Sequence, residues 1–175
     1  MISKKICLIG DFNVGKTSLV RRFVEGQFSD VYKSTVGVKI SRKLMNASNI
    51  PDRQVQLIIW DIEGQTRFKA IAPNYLQGAT ASIIVGDLTR PFTIDNITEH
   101  IALYNSINPN GLSIIALNKS DLAPEERSLK IAQVYQFNHY PQVISTYLTS
   151  AKQGNCVERM FQELADRILE RTNEL

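Results

Sequence analysis

The stretch Gly10-Asp11-Phe12-Asn13-Val14-Gly15-Lys16-Thr17 fits the spacing G-x-x-x-x-G-K-[ST]. Glycines let the backbone come close to an anion and aim its N–H groups at it. A helix that opens behind the loop adds the positive end of its dipole. In such a loop the lysine reaches the β- and γ-phosphates of a nucleotide, and the hydroxyl that follows binds Mg²⁺. Lys16 and Thr17 hold those places. Asn13, Val14, Gly15 and Ser18 complete the candidate phosphate-binding segment. A random chain of this length matches the pattern about once in a few hundred trials. The motif by itself leaves the base of the nucleotide open.

Two later segments carry groups suited to choosing the base. Asn118-Lys119-Ser120-Asp121 and Thr149-Ser150-Ala151-Lys152 each follow an apolar run. A carboxylate at Asp121 can accept from the N1 and N2 hydrogens of guanine, and adenine lacks that donor pair. The long stems of Lys119 and Lys152 can lie along a base plane. A third segment, Trp60-Asp61-Ile62-Glu63-Gly64-Gln65, also follows an apolar run. Each piece alone is an ordinary polar loop. Their order behind the phosphate loop is what gives them weight.

These segments resemble the motifs of the Ras superfamily of small GTPases, N-K-x-D, T/S-A-K and D-x-x-G-Q, in the family's order. Gln27 to Val38 is similar to the first switch of the Rab branch, F-x-D-x-Y-x-x-T-x-G-V. The stretch Leu57 to Asp61, with Arg67-Phe68, Tyr75 and Gly78-Ala79, is also Rab-like. The resemblance implies a G domain that binds GTP or GDP with Mg²⁺, hydrolyses GTP and works as a switch. It implies that Thr17, Thr35 and Asp61 serve the metal, Asp61 through a water. Gly64 and Thr35 would meet the γ-phosphate, and Gln65 would orient the attacking water beside Lys16. Phe28 would pack edge-on against the guanine, and Tyr32 would close over the phosphates. Asn118 would contact the base near N7 and tie its loop to the phosphate loop. Ser150 belongs to the base-binding segment, and the Ala151 N–H would meet guanine O6. Expected partners are an exchange factor, an activating protein and effectors that read Ile40, Trp60 and Tyr75.

Several residues depart from that pattern. The family keeps a small residue where Phe12 stands, beside the γ-phosphate, where an activating protein inserts an arginine. A phenyl ring should crowd that space. Glu63 replaces a small residue and should repel the nucleotide, unless it turns to solvent or meets a cation. Asn13 replaces a common glycine, and asparagine tolerates positive φ. Ile62 and Thr66 also differ from the usual residues, Lys39 replaces an acid, and the loop from Asn46 to Arg53 is longer than usual. Intrinsic hydrolysis in the family is already slow, on the order of 10⁻⁴ s⁻¹. Phe12 and Glu63 imply slower hydrolysis still, or a binding module without useful turnover.

The elements that must hold these loops are legible in the pattern. Short apolar runs at Ile6–Ile9, Val55–Trp60, Ala81–Val85, Leu112–Leu117 and Val143–Leu148 read as strands. Helical spacing recurs after residue 18, over Ile94 to Tyr104, after Pro124 and over Val157 to Leu169. The alternation predicts an α/β fold with a mostly parallel sheet covered on both faces, with ligands at the carboxyl ends of the strands. The resemblance makes it a six-stranded P-loop NTPase G domain over residues 1–175.

A chain of 175 residues can bury roughly two thirds of its unfolded surface. Its 20 basic and 17 acidic residues give a net charge of +3 without long basic runs, which argues against a nucleic-acid surface. Cys7 and Cys156 read as two buried free thiols, and His100 and His139 as residues of helix surfaces. No run nears the ~18 apolar residues of a membrane span, and the first residues do not form a signal peptide. The chain ends Asn173-Glu174-Leu175 without a prenylation motif, so no membrane anchor is expected on it. A cytosolic monomer is the expectation.

Overall fold

The computed structural model describes residues 2–31, 33–67 and 69–173, all except the side chain of Asn173. Six strands form one sheet: β1 (Ile2–Gly10), β2 (Val38–Asn46), β3 (Gln54–Ile62), β4 (Ala81–Asp87), β5 (Leu112–Asn118) and β6 (Val143–Leu148). Their order is β2-β3-β1-β4-β5-β6, and only the β2–β3 pair is antiparallel. The helices are α1 (Lys16–Glu25), α2 (Pro91–Asp95), α3 (Ile97–Ile107), α4 (Glu125–Val134) and α5 (Val157–Asn173). The expected α/β sheet is therefore the observed one.

The alternation along each strand sorts side chains into two cores. In β1, Ile6 and Leu8 face a cluster built with Leu19 and Phe23 of α1 and Phe161 and Leu164 of α5. Cys7 and Ile9 face the opposite cluster, with Ile97, Ile101 and Tyr104 of α3. Because both faces of β4 and β5 are covered, those strands are buried at every residue. That is why they read as unbroken apolar runs. Phe23 stacks on Phe161 with centroids 3.8 Å apart, which joins α1 to α5.

Four expectations change. β2 carried no strand signal, because Lys39, Ser41, Arg42, Lys43 and Asn46 interrupt it. It is an edge strand paired on one side only, with alternate residues in solvent. His100 is not on a helix surface. It is 1% exposed, on the same face of α3 as Tyr104. His139 lies in an exposed turn rather than a helix. Cys156 is exposed at a left-handed position (φ 58°) just before α5, so only Cys7 is a buried thiol.

The long loop after Asn46 is fastened to α5. The Ser48 N–H donates to Asp166 (2.8 Å), Asn49 Nδ2 to Glu170 (2.5 Å), and Gln162 Nε2 to the Asn46 carbonyl (2.8 Å).

Candidate functional site

The carboxyl ends of β1, β3, β5 and β6 open on one cleft, as the fold class requires. At one end it is lined by Asn13, Gly15, Lys16, Thr17, Ser18, Thr35 and Gly64. At the other it is lined by Phe28, Asn118, Lys119, Asp121, Ala151 and Lys152. Val14 and Ser150 are fully buried just behind this lining. The structure thus gathers most of the residues singled out from sequence. Tyr32 lies outside the described residues, as does Phe68.

The phosphate loop runs from β1 into α1 in the conformation its residues favour. Asn13 takes a left-handed φ of 60°, within reach of asparagine. Gly15 (φ 100°) could carry no side chain, because a Cβ there would lie 2.3 Å from Asn118 Nδ2. Asn118 binds the loop directly, its Nδ2 donating to the Val14 carbonyl at 3.0 Å. Its Oδ1 accepts from Thr149 Oγ1 at 3.1 Å and, at 3.4 Å, from the Ala151 N–H. Lys119 Nζ donates to the Asn13 carbonyl (2.9 Å) and pairs with Asp87 (2.7 Å). Ser150 Oγ donates to Asp121 Oδ1 at 2.7 Å. Lys152 pairs with Asp30 at 3.2 Å, with its ammonium 6.0 Å from the Phe28 ring centroid.

Lys16 is 6% exposed, with its ammonium on the carbonyls of Gly10 (3.2 Å) and Asp11 (2.8 Å). Burial pushes it down to about 8, against the pull of Asp61 and Asp11. Thr17 Oγ1 donates to Asp61 Oδ2 at 2.5 Å and lies 2.7 Å from Thr35 Oγ1. Burial raises the Asp61 carboxyl, and the Thr17 hydrogen bond and Lys16 oppose that rise. Asp61 Oδ1 is buried, with no hydrogen-bond partner among the described residues. The Asp61 carboxylate, one of its oxygens unpartnered, and the two hydroxyls of Thr17 and Thr35 form a hard oxygen set. It suits Mg²⁺, which is held by one or two carboxylates together with phosphates. Among the described residues no group of three His, Cys, Asp or Glu could hold a metal by itself.

Glu63 meets a cation. Its carboxylate accepts from Lys69 Nζ (2.8 Å) and the Gly37 N–H (3.0 Å), and its own N–H donates to the Gly37 carbonyl (2.8 Å). Those hydrogen bonds, from Lys69 first, hold its carboxyl below the usual range. Phe12 is 39% exposed and lines both the cleft and a neighbouring cavity. Gln65 lines that neighbouring cavity, with Arg90 and Phe92. Gly64 leaves no room for a side chain, since a Cβ there would lie 2.5 Å from the Phe12 Cα.

Ile40 pairs with Trp60 across β2 and β3, and Ile40 is 44% exposed. Trp60 and Tyr75 are half-buried. Lys5 Nζ sits 3.7 Å from the Trp60 ring centroid.

Sequence reasoning missed Asp11, Arg90, Asn96 and His100 behind the phosphate loop. The one available signal was Asn96 and His100 at i, i+4, on the side of α3 that carries Ile97, Ile101 and Tyr104.

The sequence model of the Ras family matches residues 5–170. The chain is 35% identical over 167 residues to the Ras-related protein RABA1c of Arabidopsis thaliana, covering 94% of this chain and 74% of that protein. It is 34% identical over 168 residues to the GTP-binding protein ypt5 of Schizosaccharomyces pombe, covering 95% and 78%. It is 34% identical over 171 residues to the Ras-related protein Rab7 of Drosophila melanogaster, covering 95% and 80%. With the family's model matched along nearly its whole length, and with the family's motifs gathered around one cleft, the chain belongs to the Ras family and is a Rab-like small GTPase, a class of GTP-binding molecular switches.

Proposed function

We propose that this chain binds GTP or GDP together with Mg²⁺ in the cleft and hydrolyses GTP slowly. The observation that carries this is a single cleft with Lys16, Thr17, Thr35 and Gly64 at one end and Asn118, Asp121 and Lys152 at the other. Phosphates belong at the first end, where Lys16 and the loop N–H groups supply positive charge. Phosphate charge would raise the Lys16 ammonium from the low value its burial imposes. Guanine belongs at the second end. There Ser150 fixes one oxygen of Asp121, leaving the other for the N1 and N2 hydrogens of the base. Phe28 and the Lys119 and Lys152 stems flank its faces.

Thr17, Thr35 and Asp61 would hold Mg²⁺, which supplies counter-charge to the β- and γ-phosphate oxygens. In hydrolysis a water oxygen bonds to the γ-phosphorus, and the bond from that phosphorus to the β–γ bridging oxygen breaks. GDP leaves with that oxygen, and the water's proton passes to the phosphate. Gln65 orients the water, while Lys16 and the Gly64 N–H stabilise the transferring group. Phe12 fills the space where a partner's arginine would enter, so trans stimulation is weak. Thr35 and Gly64 are ordered by the γ-phosphate and released on its loss. While those loops are ordered, effectors read Ile40, Trp60 and Tyr75. One G domain acting as a cytosolic monomer, with an exchange factor and an activating protein as regulators, completes the reading.

A second reading, a GTP-binding module without useful turnover, is favoured by the place of Gln65 in the neighbouring cavity. One experiment separates the two. Protein loaded with GTP and Mg²⁺ is followed through a single turnover, beside Phe12→Gly and with ATP as a binding competitor. We expect slow hydrolysis, faster in Phe12→Gly, and no competition by ATP. Inert wild type and variant would establish the binding module, and displacement by ATP would overturn guanine selection.

A further inference from the structure

Asp11 sits behind the phosphate loop and is 5% exposed. A carboxylate so buried needs a donor on each oxygen. His100 Nε2 lies 2.8 Å from Oδ1, and Asn96 Nδ2 donates to Oδ2 at 2.8 Å. Because a carboxylate only accepts, the ring must carry its proton on Nε2. Both donors come from one helix face, Asn96 immediately before α3 and His100 within it.

What Asp11 carries is the base of the segment around Gln65. Asp11 and Gln65 form an isolated parallel bridge. The Phe12 N–H donates to the Gln65 carbonyl at 2.7 Å, and the Gln65 N–H donates to the Gly10 carbonyl at 3.1 Å. Arg90 Nη2 holds the Phe12 carbonyl at 2.7 Å. Around Gln65 the described backbone, from Glu63 to Ala72, has neither helix nor strand. The bridge to residues 10–12 tethers this segment to the phosphate loop, and Asn96 and His100 hold those residues through Asp11.

We propose that His100, with Asn96, is a positioning residue that sets the place of Gln65 through the Asp11 carboxylate. Its effect on turnover rests on Gln65 orienting the attacking water, as proposed above. Removing the donor at 100 leaves a buried carboxylate oxygen unsatisfied. Asp11 then turns toward water, and the bridge to Gln65 loosens. His100 is not among the described residues that line the cleft, so its effect on nucleotide affinity is small.

The test compares wild type with His100→Leu, which keeps apolar bulk but no donor, and His100→Gln, which keeps an N–H donor at similar reach. Three quantities are measured in GDP·Mg²⁺ or GTP·Mg²⁺ protein: amide hydrogen exchange at Phe12 and Gln65, single-turnover hydrolysis, and GDP dissociation. For His100→Leu we expect about tenfold faster exchange at those two amides and about tenfold slower hydrolysis. GDP dissociation should change less than about threefold, because no residue lining the cleft is replaced. His100→Gln should restore exchange and hydrolysis. Unchanged exchange at Phe12 and Gln65, or equal acceleration in β4 and β5, would overturn the proposal, as would failure of Gln to restore. Wild type that binds GTP but never turns it over would sink the hydrolysis reading instead, and the exchange measurement would still decide the positioning.

Discussion

At the scale of single residues, the informative positions are those where the chain departs from the motif pattern it resembles and a neighbour compensates. Glu63 would place a negative charge beside a γ-phosphate. The structure gives it Lys69 and the Gly37 N–H instead, so its charge is met within the protein. Removing Lys69 should return the repulsion, and GTP, with its extra phosphate, should suffer more than GDP. Lys69→Ala should weaken GTP relative to GDP by up to about fivefold, the scale of a partly exposed ion pair. Adding Glu63→Gln should restore the ratio. Dissociation constants for both nucleotides at one ionic strength check this, and an unchanged ratio in Lys69→Ala would show that Lys69 does not screen Glu63.

At the scale of elements, the end of β4 is a junction. Asp87 is fully buried and accepts from Lys119 Nζ (2.7 Å), Thr89 Oγ1 (2.6 Å), the Thr89 N–H (2.8 Å) and Arg90 Nε (3.0 Å). It fastens the loop after β5 and the turn into α2 to one strand end. Burial alone would raise its carboxyl, but the hydrogen bonds from Lys119, Thr89 and Arg90 outweigh burial and keep it low. A carboxyl lowered on folding adds stability above its unfolded value, near 4, and loses it as pH falls through the lower folded value. Asp87→Asn should therefore cost about 1–3 kcal/mol at pH 7, with the gap to wild type narrowing below about pH 4. Urea unfolding at several pH values, with nucleotide held at one saturation, measures it. A gap independent of pH would show that the ionised form is not what matters.

At the scale of the whole molecule, the sheet separates two cores, and the cleft lies where β1, β3, β5 and β6 end. A ligand seated there touches loops from both ends of the sheet and binds only the folded chain. Unfolding should therefore be linked to nucleotide and metal. Saturation at 1,000 times Kd adds about 4 kcal/mol. Melting should shift upward with GDP and Mg²⁺, and EDTA should remove most of the shift. A midpoint insensitive to EDTA would speak against Thr17, Thr35 and Asp61 as a metal site. Among the described residues no helix is long and apolar enough to cross a membrane.

The sequence by itself determined the parallel core strands and the order of the nucleotide motifs. Both are local properties. A strand buried on two faces must be apolar throughout, as Ala81–Val85 and Leu112–Leu117 are. A phosphate loop needs its glycines and Lys16 within one turn of chain. Only the tertiary structure decided that His100 is buried on Asp11, that Lys69 answers Glu63, and that the polar run Val38–Asn46 is an edge strand. Cys156 emerged exposed for a related reason, since its turn before α5 faces solvent. Such outcomes depend on which face of one element meets which face of another. His100 and Asp11 are 89 residues apart, and no periodicity in either segment records the distance between them in space.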